Sequence, residues 1–194
     1  LQALYAHIPG LQVILPSTPY DAKGLLKAAI RDSQDPVIFM EDKMSYSEKG
    51  EVPKEEYFIP FGVADVKRVG KDVTIVATSS MVPVSLAAAD LLAQQGIDAE
   101  VIDPRTLTPL DAKTLINSAK KTGRAVVVDE GCRRFGVTAE LASVISEGAF
   151  DYMHAPVKRI GALDVPVPYS YPLENATIPT AEQIERETLK LLDR

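Results

Sequence analysis

Val73-Thr74-Ile75-Val76-Ala77-Thr78, followed by a helical stretch from Val82 to Gln95, decides how this chain is read. The first run is β-branched and apolar with no polar residue at every second place. A strand of that kind is covered on both faces, which marks a parallel sheet flanked by helices. The second run switches to helical spacing, with Val82, Leu86, Ala89 and Ala93 expected on one face. Working outward, strands are expected at Gln12–Leu15, Pro36–Met40, Ala99–Ile102, Ala125–Asp129 and Val157–Ile160. Helices are expected at Tyr20–Arg31, Leu110–Lys121, Thr138–Glu147 and from about Ala181 to Leu192, and Leu1–His7 reads as the middle of another. Strands that alternate with helices give an α/β fold.

The chain has 194 residues, which at about 150 residues per domain is more than one domain and less than two. From Glu41 to Pro60, charge, glycine and proline replace apolar periodicity, so a boundary is expected there. Residues 61–194 then contain enough strands and helices for a complete α/β domain with a mostly parallel sheet. Residues 1–42 hold too few and read as the C-terminal end of a larger one, with 43–60 as a linker.

A net charge of −6 supplies no basic field for the phosphates of a nucleic acid. One cysteine, Cys132, excludes an intramolecular disulfide. With only two histidines, His7 and His154, no zinc or haem cluster is expected either. A reducing, cytoplasmic setting fits, with an upstream targeting segment left open. No apolar run reaches the roughly 18 residues of a membrane span.

One string occurs twice: Thr18-Pro19-Tyr20-Asp21-Ala22-Lys23 and Thr108-Pro109-Leu110-Asp111-Ala112-Lys113. Threonine at the N-cap, proline at the first helical position and aspartate in the first turn all favour a helix start, so both strings are expected to open helices. Gly131 to Gly136 has the glycine spacing of a phosphate loop but not its lysine and hydroxyl residue. Ser79-Ser80 has no histidine nearby for a hydrolase triad. The run Asp129-Glu130-Gly131-Cys132-Arg133-Arg134-Phe135-Gly136 follows a buried strand, where open α/β sheets gather ligands. It is either the functional loop or a solvated turn facing a neighbouring subunit. Cys132 lies beside two arginines but lacks a base, His7 is expected to close its helix, and His154 is expected in a loop.

Taken together, Ala6-His7-Ile8-Pro9-Gly10-Leu11, Pro16-Ser17-Thr18-Pro19-Tyr20-Asp21-Ala22-Lys23-Gly24-Leu25-Leu26 and Pro36-Val37-Ile38-Phe39-Met40-Glu41 closely resemble the β subunits of thiamine-diphosphate-dependent 2-oxoacid dehydrogenases. Val101-Ile102-Asp103-Pro104-Arg105-Thr106-Leu107-Thr108-Pro109-Leu110-Asp111 and Val127-Val128-Asp129-Glu130-Gly131 look like that family's transketolase-like C-terminal domain, as does Ala155 to Ile160 with Pro166 to Tyr169. Glu41-Asp42-Lys43 and Lys49 to Pro53 look most like acetoin dehydrogenase β subunits, with pyruvate dehydrogenase E1β close behind. The resemblance implies the C-terminal portion of a pyrimidine-binding domain followed by a complete transketolase C-terminal-like domain. It implies a thiamine diphosphate and Mg²⁺ site shared with an E1 α subunit in an α2β2 tetramer. A second β subunit and a lipoyl-bearing E2 acyltransferase would be further partners. The family's catalytic residues are expected upstream of Leu1, so none is assigned here. A structural potassium ion is expected on backbone carbonyls of Ala29, Ile30 and Asp32, in a turn one residue longer than usual before Pro36. Two other readings stay open: a noncatalytic dimerisation and E2-docking module, and a single-chain transketolase relative.

Overall fold

The computed structural model describes residues 1–192. In chain order the elements are α1 (Gln2–Ala6), β1 (Gln12–Ile14), α2 (Pro19–Arg31), β2 (Val37–Phe39), β3 (Asp65–Arg68), β4 (Val73–Ala77), α3 (Met81–Gln94), β5 (Ala99–Asp103), β6 (Thr106–Thr108), α4 (Ala112–Thr122), β7 (Ala125–Cys132), α5 (Val137–Ala149), β8 (Lys158–Ala162), α6 (Tyr171–Asn175) and α7 (Ala181–Leu191). Short 3₁₀ turns lie at Lys43–Ser47 and Phe150–Tyr152.

The larger sheet has the order β3-β5-β4-β7-β8, parallel except for the antiparallel edge strand β3. Every residue of β4 and β5 is buried, the both-face burial expected of strands without alternation. One face packs under α3 and α7 through Val73, Ile75, Leu92 and Ile184. The other carries α4 and α5 through Val76, Ile102, Leu115 and Ile145. Helix α3 presents Val82, Ser85, Ala89 and Leu92 inward, while Ala93, expected on that face, is exposed.

The expected two-part division meets a shared core. Val13 and Leu15 of the first part are buried in the same cluster as Val76, Ile102 and Leu115. The smaller sheet also crosses the boundary: β2 and β1 are parallel, and β6 adds antiparallel to β1 from beyond the linker. Strands β3 and β6 escaped the sequence reading because Asp-Val-Lys-Arg and Thr-Leu-Thr carry no long apolar run.

The two similar strings diverge. Thr18 caps α2 as expected, its Oγ1 accepting from the Asp21 amide at 3.1 Å. Thr108 opens no helix. Its Oγ1 accepts from the Val13 amide and donates to the Leu11 carbonyl, each at 2.9 Å, which ties β6 to β1. Asp111 takes over the N-cap of α4, accepting from the Thr114 amide at 3.1 Å. A side chain committed to a strand ladder is not available to cap a helix.

Residues 50–60 form an extended strap along α2. Tyr57 stacks on Tyr20 with ring centroids 4.6 Å apart, and the Ile59 amide donates to the Gly24 carbonyl at 3.2 Å. Lys23 donates to the carbonyls of Pro53 and Glu55. A Cβ on Gly24 would stand 2.6 Å from Ile59 Cγ1, so only glycine lets the strap lie this close.

Candidate functional site

Strand order places the crevice. From β4 the chain passes through α3 to β5 on one side, whereas β7 passes through α5 to β8 on the other. The ends of β4 and β7 therefore splay at the switch point, where open α/β sheets bind ligands. Thr78, Ser79 and Ser80 follow β4, and Asp129 and Glu130 lie near the end of β7, which runs on to Cys132 where a loop was expected from Asp129.

That crevice is occupied by the protein itself. Gln2 of α1 donates from Nε2 to Asp129 Oδ1 at 3.1 Å, and Thr78 Oγ1 donates to the same oxygen at 2.5 Å. The Gly131 amide donates to Oδ2 at 3.0 Å. Asp129 is buried. Burial pushes its carboxyl above the usual range, against the pull of the Thr78 and Gly131 hydrogen bonds. Glu130 accepts from Ser80 Oγ at 2.7 Å. Its carboxyl is also raised, first by burial and then by the neighbouring Asp42 and Asp129. Gln2 and Asp42 both lie far upstream of β7 in sequence, so the switch point is where the start of the chain meets the larger sheet.

A second buried polar cluster sits at the end of β5. Asp21 on α2 is fully buried and receives Arg105 Nη2 at 2.7 Å and Lys67 Nζ at 2.7 Å. Asp65 bridges the same two cations at 2.9 and 2.7 Å. Burial alone would raise the Asp21 carboxyl, but hydrogen bonds from Lys67 and Thr18 and the charges of Lys67 and Arg105 hold it below its usual range. Asp103 accepts from Ser17 Oγ at 2.5 Å and from the Arg105 amide at 2.8 Å, with Lys67 3.8 Å away. Burial lifts its carboxyl to about 6, with Ser17 and Lys67 pulling the other way. Arg105 holds a left-handed backbone, φ +60°, which turns the chain from β5 into β6. Sequence reasoning missed this cluster, because its members lie far apart in the chain and each is ordinary alone.

The remaining candidates are dispersed. His7 is the C-cap of α1, and the His154 amide donates to the Gly123 carbonyl at 2.8 Å beside the end of α4. Cys132 is exposed, with Sγ 3.8 Å from the Leu163 carbonyl. Ala29 and Ile30 lie in the last turn of α2 and Asp32 is its C-cap. Among the described residues, no group of three or more His, Cys, Asp or Glu side chains could hold a metal ion, and no helix is long and apolar enough to cross a membrane.

A mostly parallel α/β sheet with its strand-end crevice closed by residues that precede it in the chain defines a class. The chain belongs to the transketolase family: residues 62–184 match the family described as "Transketolase, C-terminal domain" and residues 1–49 match "Transketolase, pyrimidine binding domain". Within it, the chain is similar to dehydrogenase β subunits. It is 48% identical to the β subunit of acetoin:2,6-dichlorophenolindophenol oxidoreductase of Bacillus subtilis over 99% of this chain and 56% of that one. It is 43% identical to the mitochondrial pyruvate dehydrogenase E1 component subunit beta of Dictyostelium discoideum, over 99% of this chain and 55% of that one. The chain thus spans little more than half the length of these relatives. A solved structure described as a split-gene transketolase, inactive β4 tetramer, superposes with a TM-score of 0.81 at 30% identity, covering 99% of this chain and 60% of that one.

Proposed function

We propose that this chain is part of the β subunit of a thiamine-diphosphate-dependent E1 component. That component cleaves acetoin or decarboxylates a 2-oxo acid and passes the acyl fragment to lipoyl-E2. The match over 99% of this chain to β subunits of such enzymes, at 48% identity to the acetoin enzyme, carries this reading and favours acetoin. An E1 α subunit, a second β subunit and E2 are the partners it calls for, in a cytoplasmic setting.

The residues described do not by themselves fit the cofactor. They include no carboxylate cluster for Mg²⁺, and the sequence has no glycine-rich phosphate loop. The crevice at the ends of β4 and β7 is filled by Gln2. No chemical step is therefore assigned to this stretch. Its contribution is assembly and support, the dimerisation and E2-docking role within the larger enzyme. The division into residues 1–42, linker 43–60 and 61–194 belongs to the same proposal. So does a potassium ion at the end of α2: the Asp32 and Ser33 amides both turn back to the Ala28 carbonyl, leaving the carbonyls of Ala29, Ile30 and Asp32 to a hard cation.

The test is reconstitution of the full-length chain with its α subunit and thiamine diphosphate, following reduction of 2,6-dichlorophenolindophenol. Acetoin should support the fastest turnover, with pyruvate and 2-oxoisovalerate slower. A preference for either 2-oxo acid would overturn the acetoin assignment, and no turnover with any of the three would overturn the E1 reading.

A further inference from the structure

With the crevice at β4 and β7 closed, the next concave surface runs along the edge strand β8, between the Arg133–Arg134 turn and α7. It is open: a groove of about 570 Å³ is lined by Arg133, Arg134, Lys158, Arg159, Gln183 and Glu187, with Asp164 at its edge. Four cations facing two carboxylates stand out on a chain whose net charge is −6. Arg134 pairs with Asp164 at 3.1 Å, and Lys158 pairs with Glu187. Among the described residues, no carboxylate pairs with Arg133 or Arg159. Arg159 is held in place by its own contacts, Nε to Thr138 Oγ1 at 3.3 Å and Nη2 to the Arg133 carbonyl. Thr138 lies in the first turn of α5, whose N-cap, Gly136, brings no side chain to the free amides there.

We propose that the groove along β8 binds a phosphate-bearing anion, with Arg133 and Arg159 as its guanidinium ligands. Arginine's planar fork suits phosphate oxygens. The volume falls in the range of small-molecule sites, and Ile160, Ala162 and Leu163 beside the cations suit a phosphate ester with an organic body.

The experiment uses the full-length protein assembled with its partner and saturated with thiamine diphosphate and Mg²⁺, so that the cofactor's own diphosphate site is already filled. Inorganic phosphate and adenosine monophosphate are titrated separately at constant ionic strength by calorimetry. Saturable binding of either probe is expected, and tighter binding of the nucleotide would identify an organic phosphate ester as the source. Arg133→Glu should weaken binding at least about tenfold, the effect of one charge-assisted hydrogen bond. Lys49→Glu, an equal charge change at an exposed residue elsewhere, should leave it within about twofold. Arg133→Ala, which introduces no new charge, should also weaken binding and guards against a folding effect of the reversal. Failure of both probes to bind below about 10 mM, or equal loss with Arg133→Glu and Lys49→Glu, would overturn the site.

Discussion

Arg105 holds the buried carboxylate of Asp21 from two donors, Nε at 2.8 Å and Nη2 at 2.7 Å, both to Oδ1. Asp21 opens α2 and Arg105 follows β5, so one side chain fastens the first part of the chain to the second. Removing a single partner from a buried ion pair leaves a charge without compensation. Arg105→Ala should therefore destabilise by about 3 kcal/mol, with Lys67 retaining Asp21 in part. Denaturant unfolding checks this; a loss under about 1 kcal/mol would show that the contact is incidental.

Asp103 makes the same junction sensitive to pH. Its carboxyl titrates near 6 in the folded protein against about 4 in an unfolded chain. The folded state holds the proton more tightly, so this group's stabilisation is complete below pH 4 and is lost as pH rises through about 6. Depressed Asp21 acts oppositely, its stabilisation being lost only as pH falls below the usual aspartate range. Urea midpoints should thus fall between pH 5 and pH 7. Asp103→Asn can still accept from Ser17 and from the Arg105 amide, and it should flatten that slope. A slope unchanged in the variant would assign the pH dependence elsewhere, with raised Asp129 and Glu130 as the next groups to test.

Gly24→Ala sets two effects against each other. Alanine favours a helix interior by about 1 kcal/mol, but its methyl would stand 2.6 Å from Ile59 Cγ1 and 2.7 Å from Tyr57 Cε2. The strap would have to lift, so a net loss of about 1–2 kcal/mol is expected. Tyr57 emission should shift as its stacking on Tyr20 loosens. A variant more stable than the parent would show that the strap yields freely.

Asp111 caps α4 and also accepts from the Ala64 amide at 3.0 Å, which anchors the chain leading into β3. Asp111→Ala should lose about 1–2 kcal/mol, read as a lower urea midpoint. Thr108→Val should leave the start of α4 intact and loosen β6 from β1 instead, with faster hydrogen exchange at Val13. Exchange that rises first at Thr114 in Thr108→Val would restore the cap to Thr108.

The long elements were legible because each carries its own period. The buried strands β4, β5 and β7 lack alternation, and α2 has its own threonine cap. Thr108 misled because capping chemistry and strand chemistry use the same hydroxyl, and only the position of Leu11 and Val13 decides between them. The run from Asp129 reads in sequence as a loop after a buried strand, but Asp129 to Cys132 continue β7, because Glu130, Gly131 and Cys132 carry no apolar signal. What fills the crevice was not legible, since Gln2 and Asp129 are 127 residues apart. The same holds for Asp21 and Arg105, 84 residues apart, whose partnership exists only after β6 has joined β1.

The most direct test of the account is calorimetric titration of thiamine diphosphate with Mg²⁺ into the full-length chain alone, the α subunit alone and the two mixed. Tight, saturable binding should require the mixture, as befits a chain whose own strand-end crevice is closed by Gln2. Equally tight binding by this chain alone would contradict the assignment of a supporting role.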